Sequence, residues 1–193
     1  MDIDLNVLNH FGAKNSTLIA QGQVWRLVTA LFLHGNLMHI FLNMMALLGL
    51  GRVTEALFGW QRTLFFYIVA GVVGNIASTI YSPHVLSIGA SGAIMGLAGV
   101  LLAASVKNWK MFGPLGSSLL RSVAFILIVG FLLRNYIDNA AHIGGLLAGF
   151  VMALPTPVSP AETPTGKLLD DVLGWGTVIV VALSFASLAI SFH

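Results

Sequence analysis

The chain has 193 residues, of which 57% are hydrophobic and only 8% are charged, and its formal net charge is +2. Soluble globular domains carry about 25% charged residues, so this composition excludes that class and predicts an all-α membrane protein with several spans. The small, scattered charge argues against nucleic acid as a partner. The absence of cysteine excludes disulfides, thiolate metal sites and a catalytic thiol.

The predicted elements begin with an amphipathic segment, residues 1–35, that we expect to lie partly embedded in the lipid bilayer. No basic region followed by an apolar run opens the chain, so no signal peptide is expected. About six transmembrane helices follow, at residues 37–57, 63–81, 89–106, a short one at 118–133, 139–154 and 173–192. Prolines between the last two spans predict a linker, at Pro155, Pro157, Pro160 and Pro164.

The lysines and arginines of the short loops predict the orientation, because cytoplasmic loops carry more of them. One side has six, namely Arg52, Arg62, Lys107, Lys110, Arg121 and Lys167. The other side has three, namely Lys14, Arg26 and Arg134. We therefore expect the first set in the cytoplasm and residues 1–35 outside.

A serine and a histidine stand out within the spans. Ser91 and His142 each lie in the first turn of a span that enters from outside, so we expect them at a similar depth. Serine becomes a nucleophile when an adjacent base takes its proton, and neutral histidine is the usual base. Asp138, one turn before His142, is expected to cap the helix rather than to complete a triad. The pattern indicates a Ser–His dyad.

Two further polar residues share the first span. His39 and Asn43 are four residues apart and so project from one face of a helix, at the depth of Ser91. Together with the backbone N–H of Ser91, they could donate hydrogen bonds to the oxyanion that forms when an amide is attacked.

Glycines predict which spans touch. Gly92, Gly96 and Gly99 run down the third span, and Gly145 and Gly149 run down the fifth. Small residues at this spacing let membrane helices pack with close backbones, which would bring Ser91 toward His142.

Each of these residues also has a structural interpretation. Ser91 in a small-residue helix can be packing, and His142 can be a hydrogen-bonded structural group. His39 with Asn43 can join two helices. Their conjunction at one depth is what favours chemistry.

Three ordered motifs resemble those of the rhomboid intramembrane serine proteases. They are Gly-x-Ser-Gly at Gly89-Ala90-Ser91-Gly92, Ala-His-x-x-Gly-x-x-x-Gly from Ala141 to Gly149, and His-x-x-x-Asn at His39 and Asn43. Trp25-Arg26 resembles the Trp-Arg pair of that family's first outer loop. The resemblance covers about residues 12–155.

The resemblance implies a rhomboid-like helical bundle in the cell membrane, with a cavity that opens to the non-cytoplasmic side. Ser91 would be the nucleophile and His142 the general base. His39, Asn43 and the Ser91 amide would form the oxyanion hole. Supporting roles would fall to Gly89, Gly92, Asn139, Gly145, Trp25 and Arg26. The substrates would be single-span membrane proteins, cut near the outer end of a helix, and no metal or other cofactor is expected.

The chain departs from the family pattern at two points. The resemblance implies a helix before the Trp-Arg loop, which this sequence does not contain. Met95 stands where members often have an aromatic residue that stacks on the histidine, and we expect its sulfur to contact the His142 ring. The resulting division is an outer-loop segment (1–35), a rhomboid catalytic core (36–155), a proline-rich linker (156–172) and an extra C-terminal helix (173–193).

Two other functions stay open. One is a catalytically impaired rhomboid-like protein that binds or escorts membrane helices. The other is a transporter or metal channel that uses the histidines. The second is disfavoured because no acidic residue lies in the interior of a span and the chain has no repeated half-molecules.

Overall fold

The computed structural model describes residues 2–133, 137–159 and 163–192, and most of these residues are helical. In chain order the helices are α1 (Leu5–His10), α2 (Ser16–Ala20), α3 (Arg26–Thr29), a 3-10 helix (Ala30–Phe32), α4 (Leu37–Phe58), α5 (Trp60–Tyr81), α6 (Ser91–Lys107), α7 (Trp109–Leu132), α8 (Asn139–Ala153) and α9 (Pro164–Ile190). By length and composition α4, α5, α7 and α9 are long and apolar enough to cross a membrane, while α6 and α8 are shorter apolar helices. The prediction of an all-α membrane protein is confirmed.

The outer segment folds into short helices held by buried polar side chains. Arg26 is almost fully buried, and its guanidinium donates to the carbonyl oxygens of Asn9 (2.7 Å) and Ala13 (2.9 Å). The Thr29 hydroxyl donates to the carbonyl of Gly12 (2.8 Å). Because a buried carbonyl without a partner is costly, these bonds fix the path of a segment that is too polar to span lipid.

Helix α6 is the centre of the bundle, and α8 and α5 pack most extensively against it. Leu97, Val100 and Leu101 of α6 have no exposed surface. The close packing depends on glycine: a Cβ on Gly149 would collide with the carbonyl of Gly96, and one on Gly145 with the carbonyl of Gly92. The two backbones therefore touch along the glycine faces that the sequence indicated.

Helix α7 corrects the prediction of a short fourth span at 118–133, because it begins at Trp109 and has 24 residues. Pro114 predicts a break, but it lies in the second turn, where its missing N–H removes a single intrahelical bond. Gly116 is also needed there, since a Cβ would lie 2.7 Å from the Ser105 side chain of α6.

This longer α7 also changes the charge count. Arg121 lies within the helix, with an exposed side chain, rather than in a loop. Arg134, counted on the outer side, lies outside the described residues, as does Pro160 of the predicted linker.

Helix α9 begins at Pro164, well before the predicted span at 173–192. Its charged first turns suggest a linker in the sequence, yet Asp170 is buried and paired with Arg62 of α5 (2.7 Å). Arg62 also donates to the carbonyl of Ser159 (2.9 Å). A buried charge is tolerated only when it is paired, so this ion pair is what lets the helix start early.

Candidate active site

The N-terminal ends of α6 and α8 lie side by side and place a hydroxyl against an imidazole. Ser91 is the first residue of α6 and His142 lies in the first turn of α8. Ser91 Oγ is 2.8 Å from His142 Nε2. The His142 ring is buried, with 7% of the residue exposed, and Ser91 is half-buried. This distance is within the range over which a histidine can take a proton from a hydroxyl.

The carboxylate nearest in sequence does not complete a triad. Asp138 caps α8, and its Oδ1 accepts the N–H of Ala141 (3.1 Å), so the prediction of a capping role is confirmed. His142 Nδ1 is buried and has no hydrogen-bond partner within residues 2–133, 137–159 and 163–192. In the described part of the chain, the arrangement is a serine and a histidine without a carboxylate bonded to the ring.

The loop before Ser91, residues 82–90, is called the serine loop, and it requires glycine at position 89 for two reasons. Gly89 has φ +112°, a conformation that side chains strongly disfavour. A Cβ there would also lie 2.7 Å from His39 Nε2, so the backbone of the serine loop passes directly over the His39 ring. The N–H of Gly89 donates to the carbonyl of Ala30 (2.9 Å), which fixes the loop against the outer segment.

The His39 ring presents a nitrogen to the serine loop. Its Nδ1 accepts the N–H of Gly35 (3.4 Å), and a neutral ring that accepts at Nδ1 carries its hydrogen on Nε2. Nε2 is the atom that faces Gly89. Asn43 is buried, and its side-chain nitrogen donates to the carbonyl of His39 (2.9 Å), so its amide is engaged within α4.

Comparison with known proteins shows the family of this chain. Residues 21–157 match the Rhomboid domain. The chain belongs to the rhomboid family. It is 41% identical over 176 residues to Rhomboid protease GluP of Bacillus subtilis (strain 168), covering 91% of this chain and 34% of that protein. It is 34% identical over 158 residues to RHOMBOID-like protein 5 of Arabidopsis thaliana, covering 79% and 50%.

A third relative is Rhomboid-like protease 1 of Toxoplasma gondii, 35% identical over 154 residues, with 77% of this chain and 53% of that protein covered. The chain thus spans about a third to a half of the length of these relatives. The family and the apolar helices make this a multi-pass rhomboid membrane protein.

Several residues with predicted supporting roles lie away from the dyad of this rhomboid. Asn139 donates to the carbonyl of Leu127 (3.0 Å) and so ties the start of α8 to α7. Arg26 stacks on the Trp25 ring, 4.7 Å from its centroid, and anchors the outer segment rather than contacting the pair. Met95 is buried in a cluster with Ala98 and Val123. The contact of its sulfur with the His142 ring stays a prediction.

His34 lies closer to the site than its loop position suggests. Its ring meets that of His39 edge to face, with 5.1 Å between centroids. Burial lowers the pKa of His34, and the neighbouring His39 lowers it further, while a hydrogen bond with the main chain of Phe32 acts in the opposite direction. His34 therefore favours the neutral ring beside His39.

Sequence reasoning missed a buried polar cluster next to the dyad. Lys14 has no exposed surface, and its ammonium donates to the carbonyls of Ser82 (3.1 Å) and Val85 (2.9 Å). The hydroxyls of Ser78 and Ser87 both bond Oδ2 of Asp138. Lys14 and Ser87 in polar stretches, and a serine within an apolar span, give no sequence signal of this cluster, and only the capping position of Asp138 was visible.

Proposed function

We propose that this rhomboid is an intramembrane serine endopeptidase, with Ser91 as the nucleophile and His142 as the general base. The observation that carries the proposal is the 2.8 Å separation of Ser91 Oγ and His142 Nε2. A serine is unreactive until a base can take its proton, and this pair has the base within hydrogen-bond reach. Two of the relatives are themselves named rhomboid proteases, which supports intramembrane proteolysis.

The reaction follows from the positions of the two groups. Ser91 Oγ attacks the carbonyl carbon of the scissile amide, and its proton passes to His142 Nε2. The tetrahedral intermediate collapses when His142 returns that proton to the departing amine, leaving an acyl group on Ser91. A water molecule then attacks the ester, with His142 again taking the proton, and releases the second product and free enzyme.

The negative oxygen of the intermediate needs donors on the side of α6 that faces α4. The backbone N–H of Ser91 opens a helix and has no intrahelical acceptor, so it is free to donate to an oxyanion. His39 Nε2 faces the same loop. Asn43 lies one turn further along α4; its side-chain nitrogen donates one hydrogen to the His39 carbonyl, and its second hydrogen is the donor proposed for the oxyanion.

The lengths of α6 and α8 suggest where the cut is made. With 17 and 15 residues, they are about 25 Å and about 22 Å long, which is less than the roughly 30 Å hydrocarbon core of a bilayer. Both carry their reactive residue at the N-terminal end, so we expect the dyad below the outer surface. Single-span proteins whose helix unwinds near that end would be the substrates.

The test is labelling with a fluorophosphonate, which reacts with activated serines, together with cleavage of a reporter transmembrane protein. Ser91→Ala should abolish both readouts, and His142→Ala should abolish labelling although Ser91 is present. Ser105→Ala is the matched control, because Ser105 lies in the same helix and donates only to the carbonyl of Leu101 (2.8 Å). It should label and cleave as the wild type does.

Cleavage that survives Ser91→Ala would contradict the proposal. If the wild type neither labels nor cleaves but still binds transmembrane helices, the chain would instead be a rhomboid-like protein that escorts them. The two outcomes separate an enzyme from a binding protein with the same fold.

A further inference from the structure

The segments that carry the two residues of the proposed dyad have a second, non-catalytic link, four residues before each of them. Ser87 precedes Ser91 by four residues, and Asp138 precedes His142 by four residues. The Ser87 hydroxyl bonds Oδ2 of Asp138, just as Ser91 Oγ bonds His142 Nε2. The chain segment from Ser87 to Ser91 is therefore joined to α8 and its N-cap by two hydrogen bonds. The second of these, between Ser87 and Asp138, does not involve the reacting atoms.

Asp138 uses both of its carboxylate oxygens in this link. Oδ1 accepts the N–H of Ala141 (3.1 Å) and so fixes the carboxylate to the first turn of α8. Oδ2 is bonded by Ser87 from the serine loop and by Ser78 from α5. Ser78 and Ser87 are both buried, so solvent cannot easily replace either hydroxyl.

Lys14 fixes the other side of the serine loop. Its backbone exchanges two hydrogen bonds with Ser87, from Lys14 N to Ser87 O (2.9 Å) and from Ser87 N to Lys14 O (3.2 Å). Its ammonium holds two loop carbonyls, those of Ser82 and Val85. Burial lowers the pKa of Lys14, and the negative charge of the half-buried Asp138 opposes that shift, so the two groups interact electrostatically.

We propose that Asp138, through Ser87, is a positioning residue that sets the approach of Ser91 to His142, with Lys14 holding the loop in register. This rests on the function proposed above. The carboxylate does not bond the histidine ring; it joins the segments that lie four residues before each member of the dyad. Small errors of position are expensive in catalysis, because a shift of about 1 Å at the reacting atoms can lower the rate about 100-fold.

The structure supplies a matched pair of variants. Ser87→Ala and Ser78→Ala each remove one hydroxyl from the same oxygen of Asp138, but only Ser87 lies in the loop that leads directly into Ser91. Positioning predicts that Ser87→Ala lowers kcat and the rate of fluorophosphonate labelling about 10- to 100-fold with little change in KM. Ser78→Ala should change the labelling rate less than threefold or so, because the joint between loop and helix remains.

A second variant tests Asp138 without removing its cap. Asp138→Ser keeps a side-chain oxygen for the N-terminal turn, since serine caps helices about as well as aspartate, but is too short to reach Ser87. Its labelling rate should fall as that of Ser87→Ala does. The double variant Ser87→Ala/Asp138→Ser should label only slightly more slowly than either single variant, as expected for residues that act as a unit. Ser87→Thr returns the hydroxyl and should recover part of the labelling rate.

All variants are compared in the full chain, with thermal unfolding measured in parallel. Equal losses in Ser87→Ala and Ser78→Ala that follow the loss of stability would overturn the positioning role. Labelling of Ser87→Ala at the wild-type rate would also overturn it while leaving the proposed protease intact. If wild-type Ser91 does not label at all, the proposed function fails first, and the positioning role with it.

Discussion

At the scale of single residues, the two polar side chains of α4, His39 and Asn43, are held by hydrogen bonds with backbone atoms. His39 is oriented by the N–H of Gly35, and its carbonyl in turn binds Asn43. A hydrogen bond to a backbone group restricts only one side chain, so it costs less conformational entropy than a bond between two side chains. These bonds keep a donor near the serine loop before a substrate arrives, and one oxyanion donor is worth roughly 2.7–4 kcal/mol in serine proteases.

His34 leads to a prediction about pH. Its pKa in the folded chain is lowered from 6.5, first by burial and then by His39, so the unfolded chain binds more protons in the window just below 6.5. The stability contributed by the neutral ring is therefore fully present above pH 6.5 and is lost as the pH falls through the folded pKa. Acidification should destabilise the packing beside His39.

Thermal unfolding of the wild type and of His34→Gln between about pH 7 and about pH 5 checks this. The wild type should lose more stability on acidification than the variant does. His84→Gln is the control, because His84 is exposed on a loop, and its profile should follow the wild type. A His34→Gln profile that parallels the wild type would show that this ring does not set the acid limit.

At the scale of elements, the contact of α6 with α8 is what brings the dyad together. The faces meet backbone to backbone at Gly92 with Gly145 and at Gly96 with Gly149. Atoms of the main chain cannot swing aside as a side chain can. Any added carbon must therefore separate the two helices, and with them Ser91 and His142.

Gly149→Ala should consequently destabilise the protein by about 1–3 kcal/mol and lower the rate of Ser91 labelling. Gly176→Ala on α9 is the matched control, because nothing lies within 4 Å of a Cβ at that position. There alanine should be neutral or should stabilise by up to about 1 kcal/mol, the usual gain over glycine within a helix. Unfolding in a denaturing detergent measures the change in stability of both variants. Equal changes for Gly149→Ala and Gly176→Ala would refute the backbone contact of α6 with α8.

Some helix boundaries could be predicted from the sequence and others could not. The predicted first span begins at Leu37 and the second ends at Tyr81, as observed, because predominantly apolar stretches define them. The starts of α7 and α9 were missed. Pro114 lies inside α7 without ending it, and Asp170 is tolerated because Arg62, distant in the chain, neutralises it.

In the candidate site too, local features could be predicted from the sequence, whereas contacts between distant residues could not. Ser91 and His142 could be found because polar groups in apolar spans stand out against their neighbours. The joint of Ser87 with Asp138 could not be found, since it spans 51 positions between two polar stretches that look like ordinary loops. Burial of Lys14 depends in the same way on carbonyls far along the chain.

At the scale of the whole molecule, the ion pair of Arg62 with Asp170 and the pair of Ser91 with His142 lie at opposite ends of the bundle. At one end Lys107 joins the C-terminal ends of α6 and α8 by donating to the carbonyl of Thr156 (2.6 Å), and Arg62 pairs with Asp170. At the other end lie Ser91 and His142. Six basic residues were predicted at the first end. Because Arg121 lies within α7, the excess of basic residues there depends on the other five.

This polarity predicts that the dyad opens away from the cytoplasm. The chain has no cysteine, so single cysteines report without background. Gln21→Cys and Thr165→Cys replace exposed residues near the two ends. A membrane-impermeant thiol reagent should label Gln21→Cys on intact cells and Thr165→Cys only after permeabilisation, while the unmodified chain stays unlabelled. Because basic residues set orientation through the short loops, the reverse pattern would place the dyad on the cytoplasmic side and overturn the proposed site of cleavage.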